Sequence, residues 1–213
     1  TDKVTHHGYH RFYPRLIKQF QNDDNMAMIE IGIQESKSLK MWLEYFPKGF
    51  IYGTSLTLNT SSNEKGDRHL IYQTDQSNIP ALDQFHQLIK KNKHQVKFIN
   101  DDGTHVPFHI IAAFNYLFEN VLEEGGVYII EDIEKSYWKR GILSAHVIEY
   151  GYKNPGSIVE IFKKVVDTIN NELLSDKDKG DNNRAVTNMP ENVKRMISSI
   201  TFCQNGIIIM KKT

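Results

Sequence analysis

Short β-branched runs alternate with stretches whose apolar residues recur at helical spacing, and this alternation from Met26 to Met210 constrains the fold more than any other feature. Strands separated by amphipathic helices can pair in parallel, because each helix carries the chain back across the sheet. Met26 to Ile31 reads as the first strand. Ser36 to Phe46 then places Leu39, Trp42, Leu43 and Phe46 on one helical face, behind the N-cap candidates Ser36 and Ser38. Phe50 to Gly53 and Leu70 to Gln73 are the next strands, and Pro80 occupies the first turn of a helix bearing Leu82, Phe85, Leu88 and Ile89. Val96 to Ile99 is a fourth strand. Pro107 opens a helix whose stripe runs from Ile110 to Val121 and which Gly125-Gly126 is expected to stop, directly before a strand at Val127 to Ile130. Ser157 and Glu160 form a capping box ahead of a helix carrying Ile158, Ile161, Phe162, Val165, Val166 and Ile169. Asn205-Gly206 between Ser199–Cys203 and Ile207–Met210 is a hairpin signal. The predicted class is therefore α/β, a mostly parallel sheet with an antiparallel C-terminal hairpin strand. No internal repeat is visible, so residues 1–213 are expected to form one domain, with 1–25 as an N-terminal cap segment and the polar stretch 175–192 as a mobile loop or lid.

Charge and cysteine usage narrow the function classes. Lys+Arg and Asp+Glu balance at 26 each, so no global basic field argues for nucleic acid, and a small-molecule partner is expected instead. The single cysteine, Cys203, excludes an intrachain disulfide and reads as a small buried hydrophobe. There is no signal-peptide pattern and no apolar run near the ~18 residues a membrane span requires. These absences lead to the expectation of a soluble, cytoplasmic protein with no membrane partner.

Chemistry concentrates where two strands end. Asn100-Asp101-Asp102-Gly103-Thr104-His105 and Ile129-Ile130-Glu131-Asp132 each close an apolar run with carboxylates. An isolated Asp-Gly is ordinarily a turn, and a Glu-Asp pair at a strand end is often a helix N-cap region. Together the two runs are harder to dismiss, since adjacent carboxylates repel and need a cation or a donor network. His105, three residues after Asp102, can supply a base. Three histidines fall within residues 6–10, but no cysteine accompanies them and a zinc site is not expected. The N-terminal segment reads equally as a pocket lining or as an amphipathic helix docking Tyr9, Phe12, Tyr13 and Leu16 on the core.

The order Ile29-Glu30-Ile31-Gly32, Tyr52-Gly53, Thr74-Asp75-Gln76-Ser77, Asp101 to His105, Glu124 to Tyr128 and Glu131-Asp132 resembles the class I S-adenosylmethionine-dependent methyltransferases. More narrowly, it is similar to the metal-dependent sugar O-methyltransferases of macrolide biosynthesis, of mycinamicin type, and to their cephalosporin-hydroxylase-like relatives. The resemblance covers residues 1–140 by motif and the closing hairpin by topology. It implies a Rossmann-like, doubly wound sheet and S-adenosyl-L-methionine as cofactor. Glu30, Gly32 and Gln34 would surround its methionine part, Asp75 and Gln76 would meet the adenine, and Asp101 would support it from below. It also implies a divalent metal on Asp102, Glu131 and Asp132, for which hard oxygen ligands suit Mg²⁺. His105, with Asp102, would act as general base on a sugar hydroxyl of a nucleotide sugar, glycoside or glycan. Tyr9, His10 and Tyr13 are implied lining residues, since an Asp-Lys pair followed by histidine and tyrosine folds over the pocket in the relatives. Tyr137 and Trp138 either form an aromatic wall for the sugar or cover the sheet edge. A homo-oligomer is a family-level expectation.

Two departures keep alternatives open. Ser36 stands where the family's second glycine is usual, and Gly53-Thr54-Ser55 replaces the acid that binds the ribose hydroxyls. Ser55 can still bond a hydroxyl, with Asn59 or Glu64 as substitute acceptors. The alternatives are a methyltransferase of a catechol-like or nucleic-acid hydroxyl, or a non-catalytic ligand-binding protein with the same fold.

Overall fold

The computed structural model describes residues 1–33, 37–57, 64–143, 146–179 and 188–213. An eight-stranded sheet forms its centre: β1 (Met26–Ile31), β2 (Phe50–Ser55), β3 (Glu64–Lys65), β4 (His69–Gln73), β5 (Gln95–Asp101), β6 (Leu122–Glu131), and the C-terminal pair Ile197–Cys203 and Gly206–Lys211. A separate antiparallel hairpin joins β7 (Gly141–Leu143) to β8 (His146–Ile148), so the C-terminal pair is β9 and β10. The helices are α1 (Asp2–Thr5), α2 (Pro14–Ile17), α3 (Lys37–Tyr45), α4 (Ile79–Asn92), α5 (Pro107–Asn120) and α6 (Ile158–Ile169), with a short turn of helix at Glu191–Arg195. None of the described helices is long and apolar enough to cross a membrane.

The order across the sheet is β3-β4-β2-β1-β5-β6-β10-β9. β4, β2, β1, β5 and β6 run parallel, while β10 pairs antiparallel with β6 and β9 pairs antiparallel with β10. The chain winds outward from β1 to β4 and then crosses to β5 on the other side of β1. The strand order therefore reverses between β1 and β5, where open α/β sheets bind ligands beyond their carboxyl ends. In-register neighbours there are Glu30 with Asn100, Ile31 with Asp101, and Asp101 with Ile130.

Each face has its own core. α4, α5 and α6 cover one face, burying Leu82, Phe85, Phe114, Phe118 and Phe162 against Ile29, Ile99 and Tyr128. The other face is covered by α3 and the N-terminal segment, which bury Trp42, Tyr9, Tyr13 and Ile17 against Met28, Phe98 and Ile129. Two-residue periodicity then decides where the acids go. Asp101 joins the face of Tyr128, whereas Glu131 points to the N-terminal segment.

Two helix starts carry side-chain caps, one of them, Ser157, as expected; of the expected caps for α3, Ser36 lies outside the described residues and Ser38 falls inside the helix. Asn78 caps α4 by accepting from Ala81 N at 3.1 Å, and Ser157 caps α6 by accepting from Glu160 N at 3.3 Å. The reciprocal half of the capping box is absent, because Glu160 takes Lys163 at 2.7 Å instead. Three boundaries differ. Helix α5 ends at Asn120, and Gly125-Gly126 lies inside β6, where the register shifts between Val96/Leu122 and Phe98/Val127. The glycines thus serve an irregularity of the strand and not the helix stop. Strand β3 and the hairpin β7–β8 had no clear sequence signal. Of the expected loop 175–192, residues 180–187 lie outside the described residues, and its last two belong to the Glu191–Arg195 helix.

Candidate active site

The first part of the site is a cleft of about 260 Å³ above β1, β2 and β4, lined by Gly32, Ser55, Thr74, Asp75, Gln76 and Gly103 among others. It unites four of the residues expected to hold a cofactor: Gly32, Ser55, Asp75 and Gln76. Gly32 has φ +95, and a Cβ there would lie 2.1 Å from the carbonyl oxygen of Asp102. Only glycine lets the turn after β1 close on the turn after β5. Gln76 locks the two sides by accepting from Thr104 N at 2.8 Å and donating to Asp101 at 3.2 Å. Asp75 is fixed by Ser77, whose N–H and hydroxyl donate at 2.8 and 2.7 Å. Asp101 is fully enclosed. Burial pushes its pKa up to about 7, although Tyr128, Gly103 and Gln76 all donate to it. Ser55 stands at the position of the missing acid, with its hydroxyl donating to Thr57 O at 2.7 Å. Gln34 and Asn59 lie outside the described residues.

The second part is a carboxylate cluster at the ends of β5 and β6. Asp102, His105 and Asp132 present ligand atoms within 4.8 Å of one another. His105 Nε2 lies 3.9 Å from Asp102 Oδ1. Both His105 and Asp132 have φ +54, a left-handed conformation unusual for non-glycine residues and often found where a fold positions functional groups. Asp132 is held by Tyr9, whose hydroxyl is 2.5 Å from Oδ1 and accepts from Asp132 N at 3.1 Å. Asn205 donates to the same oxygen at 2.9 Å, and His7 Nδ1 stands 3.6 Å away.

Glu131 is oriented differently. Its carboxylate receives hydrogen bonds from Tyr13 and Lys3, on the inner side of the cluster. Lys3 also contacts Asp102 at 2.7 Å and Glu30 at 3.3 Å, and it is 2% exposed. Burial works against this ammonium, but Glu131, Glu30 and Asp102 outweigh it and hold Lys3 firmly charged. Burial likewise raises the pKa of Glu131 and of Glu30, with Lys3 opposing both shifts. His105 is pulled below the usual imidazole value by burial, partly offset by Asp102 and Asp132, so its neutral form dominates at physiological pH.

A cavity of about 210 Å³ opens onto His105 and Asp132, walled by Lys135, Ser136, Glu149 and Tyr150. Tyr137 and Trp138 line a different cavity, beside His6, His7 and Asn205. His10 is exposed, and it borders none of these three spaces. Sequence reasoning gave no role to Lys3, His7, Lys135, Ser136 or Asn205. In the sequence the Asp2-Lys3 pair is the one signal for Lys3, and Asn205 reads purely as a turn residue.

No family model matches the chain. It is 30% identical over 145 residues to the 8-demethyl-8-alpha-L-rhamnosyl tetracenomycin-C 2'-O-methyltransferase of Streptomyces olivaceus, covering 65% of this chain and 36% of the relative. Over 209 residues it is 27% identical to the mycinamicin VI 2''-O-methyltransferase of Micromonospora griseorubida, covering 94% of this chain and 48% of the relative. Among solved structures, the MycE methyltransferase of the mycinamycin biosynthetic pathway, in complex with Mg and SAH, superposes with a TM-score of 0.74 at 26% identity, over 97% of this chain and 50% of that one. The chain spans about half the length, or less, of these relatives. In sequence and in fold the chain is thus similar to the sugar O-methyltransferases of the tetracenomycin and mycinamicin pathways, and its sheet and flanking helices have the fold of the MycE methyltransferase.

Proposed function

We propose that the chain is an S-adenosylmethionine- and divalent-metal-dependent O-methyltransferase acting on a sugar hydroxyl of a small-molecule or glycan acceptor. The observation that carries this reading is the closure of Gly32 on Asp102, which sets the cofactor-type cleft directly against the cluster of Asp102, His105 and Asp132. The relatives named above are sugar O-methyltransferases, and the MycE complexes contain Mg and SAH.

The residues fit both groups. Gly32, Ser55, Asp75 and Gln76 line the cofactor cleft, and Asp101 braces Gln76 from beneath. Asp102 and Asp132 offer hard oxygen ligands suited to Mg²⁺. Glu131, the third expected ligand, has its carboxylate engaged by Lys3 and Tyr13, so its participation requires exchange of one of those donors. When bound, the cofactor supplies an electrophilic methyl group and the ion lowers the pKa of the acceptor hydroxyl. Neutral His105 takes the hydroxyl proton at Nε2, and Asp102 steadies the imidazolium that results. Tyr9 and Asn205 keep Asp132 in place. The left-handed backbone at both His105 and Asp132 turns their side chains to the same small cavity. Holding the reacting groups together accounts for much of the expected rate.

The loss of the ribose-binding acid at Ser55 favours one rival, a ligand-binding protein without transfer activity. Calorimetry with S-adenosylhomocysteine, with and without Mg²⁺, separates the two. Micromolar binding, about −8 kcal/mol, is expected for the enzyme. His105→Ala should then lower kcat/KM for methylation of glycosides by about 10²–10⁴-fold with cofactor affinity unchanged. Absence of binding at millimolar concentration would remove the enzyme reading.

A further inference from the structure

Two cavities flank the turn that follows Asp132. The one of about 210 Å³ contains His105 and falls below the roughly 300–1,000 Å³ of ordinary small-molecule sites, leaving room for little more than a single reacting ring. On the other side of the Tyr9–Asp132–Asn205 contact lies an open cavity of about 720 Å³, lined by His6, His7, Tyr137, Trp138, Gln204 and Asn205. The helical turn Ile133–Ser136 forms the partition, presenting Lys135 and Ser136 to the smaller space and Glu134 to the larger.

The lining of the larger cavity selects a chemistry. Two imidazoles, two side-chain amides and a carboxylate alternate with two aromatic rings, of which Tyr137 is 53% exposed. Glu134 Oε2 and Asn205 Oδ1 are buried acceptors without a hydrogen-bond partner. Such atoms are costly unless a donor reaches them. Both are acceptors and one is a carboxylate, which suits hydroxyl donors better than phosphate oxygens, and the neighbouring Arg11 guanidinium is already engaged by Gln204 Oε1 and the carbonyls of Gly8 and His7. A wholly apolar group would offer nothing to these two oxygens, to the His6 ring or to the Gln204 amide, whose oxygen alone is engaged, by Arg11 at 2.8 Å. A neutral ring with hydroxyl donors around its rim and an apolar face for an aromatic side chain satisfies both requirements.

We propose that this cavity is a second carbohydrate subsite, which takes a neutral sugar ring adjoining the one that is methylated, so that the acceptor is a neutral glycan of at least two rings and not a nucleotide sugar. This rests on the function proposed above but is read by binding, independently of methyl transfer. The test is retention of the protein, both unloaded and loaded with S-adenosylhomocysteine, on a glycan array of neutral mono-, di- and trisaccharides and their phosphorylated counterparts. Retention on one or more glycans of two or three rings, at least tenfold above the matching single-ring glycosides, is expected. Trp138→Ala and Gln204→Ala should each reduce that retention at least fivefold, with Tyr137→Phe near the parent. The exposed Tyr137→Ala serves as a third variant should Trp138→Ala fail to fold. Equal retention of single rings, preference for phosphorylated glycans, no glycan retention at all, or indifference to both Trp138→Ala and Gln204→Ala would each overturn the subsite. Failure of S-adenosylhomocysteine to bind in calorimetry would instead count against the methyltransferase reading alone, because glycan retention is scored on unloaded protein as well.

Discussion

Lys3 shows how much one side chain can decide. It brings a positive charge to within hydrogen-bonding or ion-pair distance of Glu30, Asp102 and Glu131 in a setting from which water is excluded. Removing one partner of such a buried group leaves uncompensated charge, which is far more damaging than losing an exposed ion pair. Lys3→Met should therefore destabilise the protein by about 3–5 kcal/mol at neutral pH, measured by urea unfolding. The loss should shrink in acid, where the three carboxylates can take up protons. An unchanged midpoint at neutral pH would show that the cluster does not depend on the ammonium. Little in the chain advertises this role: a lysine near an N-terminus is ordinarily solvated. Asp102 and His105, by contrast, were legible because they lie within six consecutive residues that end a strand.

At the scale of elements, the site is a junction of five strand ends, those of β1, β2, β4, β5 and β6, and one N-terminal segment. The turn after β1 must pass so close to the turn after β5 that no side chain fits at residue 32. Gly32→Ala would add both a left-handed strain and a collision with the Asp102 carbonyl, so one turn or both must shift. It should destabilise by about 1–3 kcal/mol and weaken S-adenosylhomocysteine binding at least tenfold, read by thermal unfolding and calorimetry. Wild-type affinity in this variant would mean that the cleft is not the cofactor site. The N-terminal segment contributes differently. His7, Tyr9, Tyr13 and Trp42 form a run of stacked rings with successive centroids 5.3, 5.3 and 6.3 Å apart. That stack carries two tyrosine hydroxyls to Asp132 and Glu131. Deleting residues 1–13 should expose Trp42 and shift its fluorescence to the red, and an unshifted spectrum would show that α3 holds Trp42 without help. Of the two places expected for Tyr9 and Tyr13, the pocket or the core, both rings occupy the core and line none of the three cavities, while their hydroxyls reach Asp132 and Glu131.

For the whole molecule, buried acids set a pH dependence. Asp101 titrates near 3.9 in an unfolded chain and at about 7 when folded, so between those values the native state binds more protons than the unfolded one. Stability must then fall as pH rises from about 4 to 7, by on the order of 4 kcal/mol from this group. The upward shifts of Glu30 and Glu131 act in the same direction. Asp101→Asn should flatten the profile in urea titrations from pH 4 to 8, and a parent profile that rises across that range would refute the assignment. The parallel sheet, its flanking helices and the closing hairpin were all legible in the sequence, because periodicity, capping residues and the Asn205-Gly206 turn act over a few neighbours. The acids at the strand ends were legible for the same reason. Which of them meet could not be read there: Lys3 and Glu131 are 128 positions apart, and Tyr9 and Asn205 are 196 apart. Their contacts, the inward turn of Glu131 and the placing of separate cavities beside Asp132 and Asn205 arise from strand order, register and packing on the two faces of the sheet. Those are properties of distant segments brought together, and no local pattern of residues encodes them.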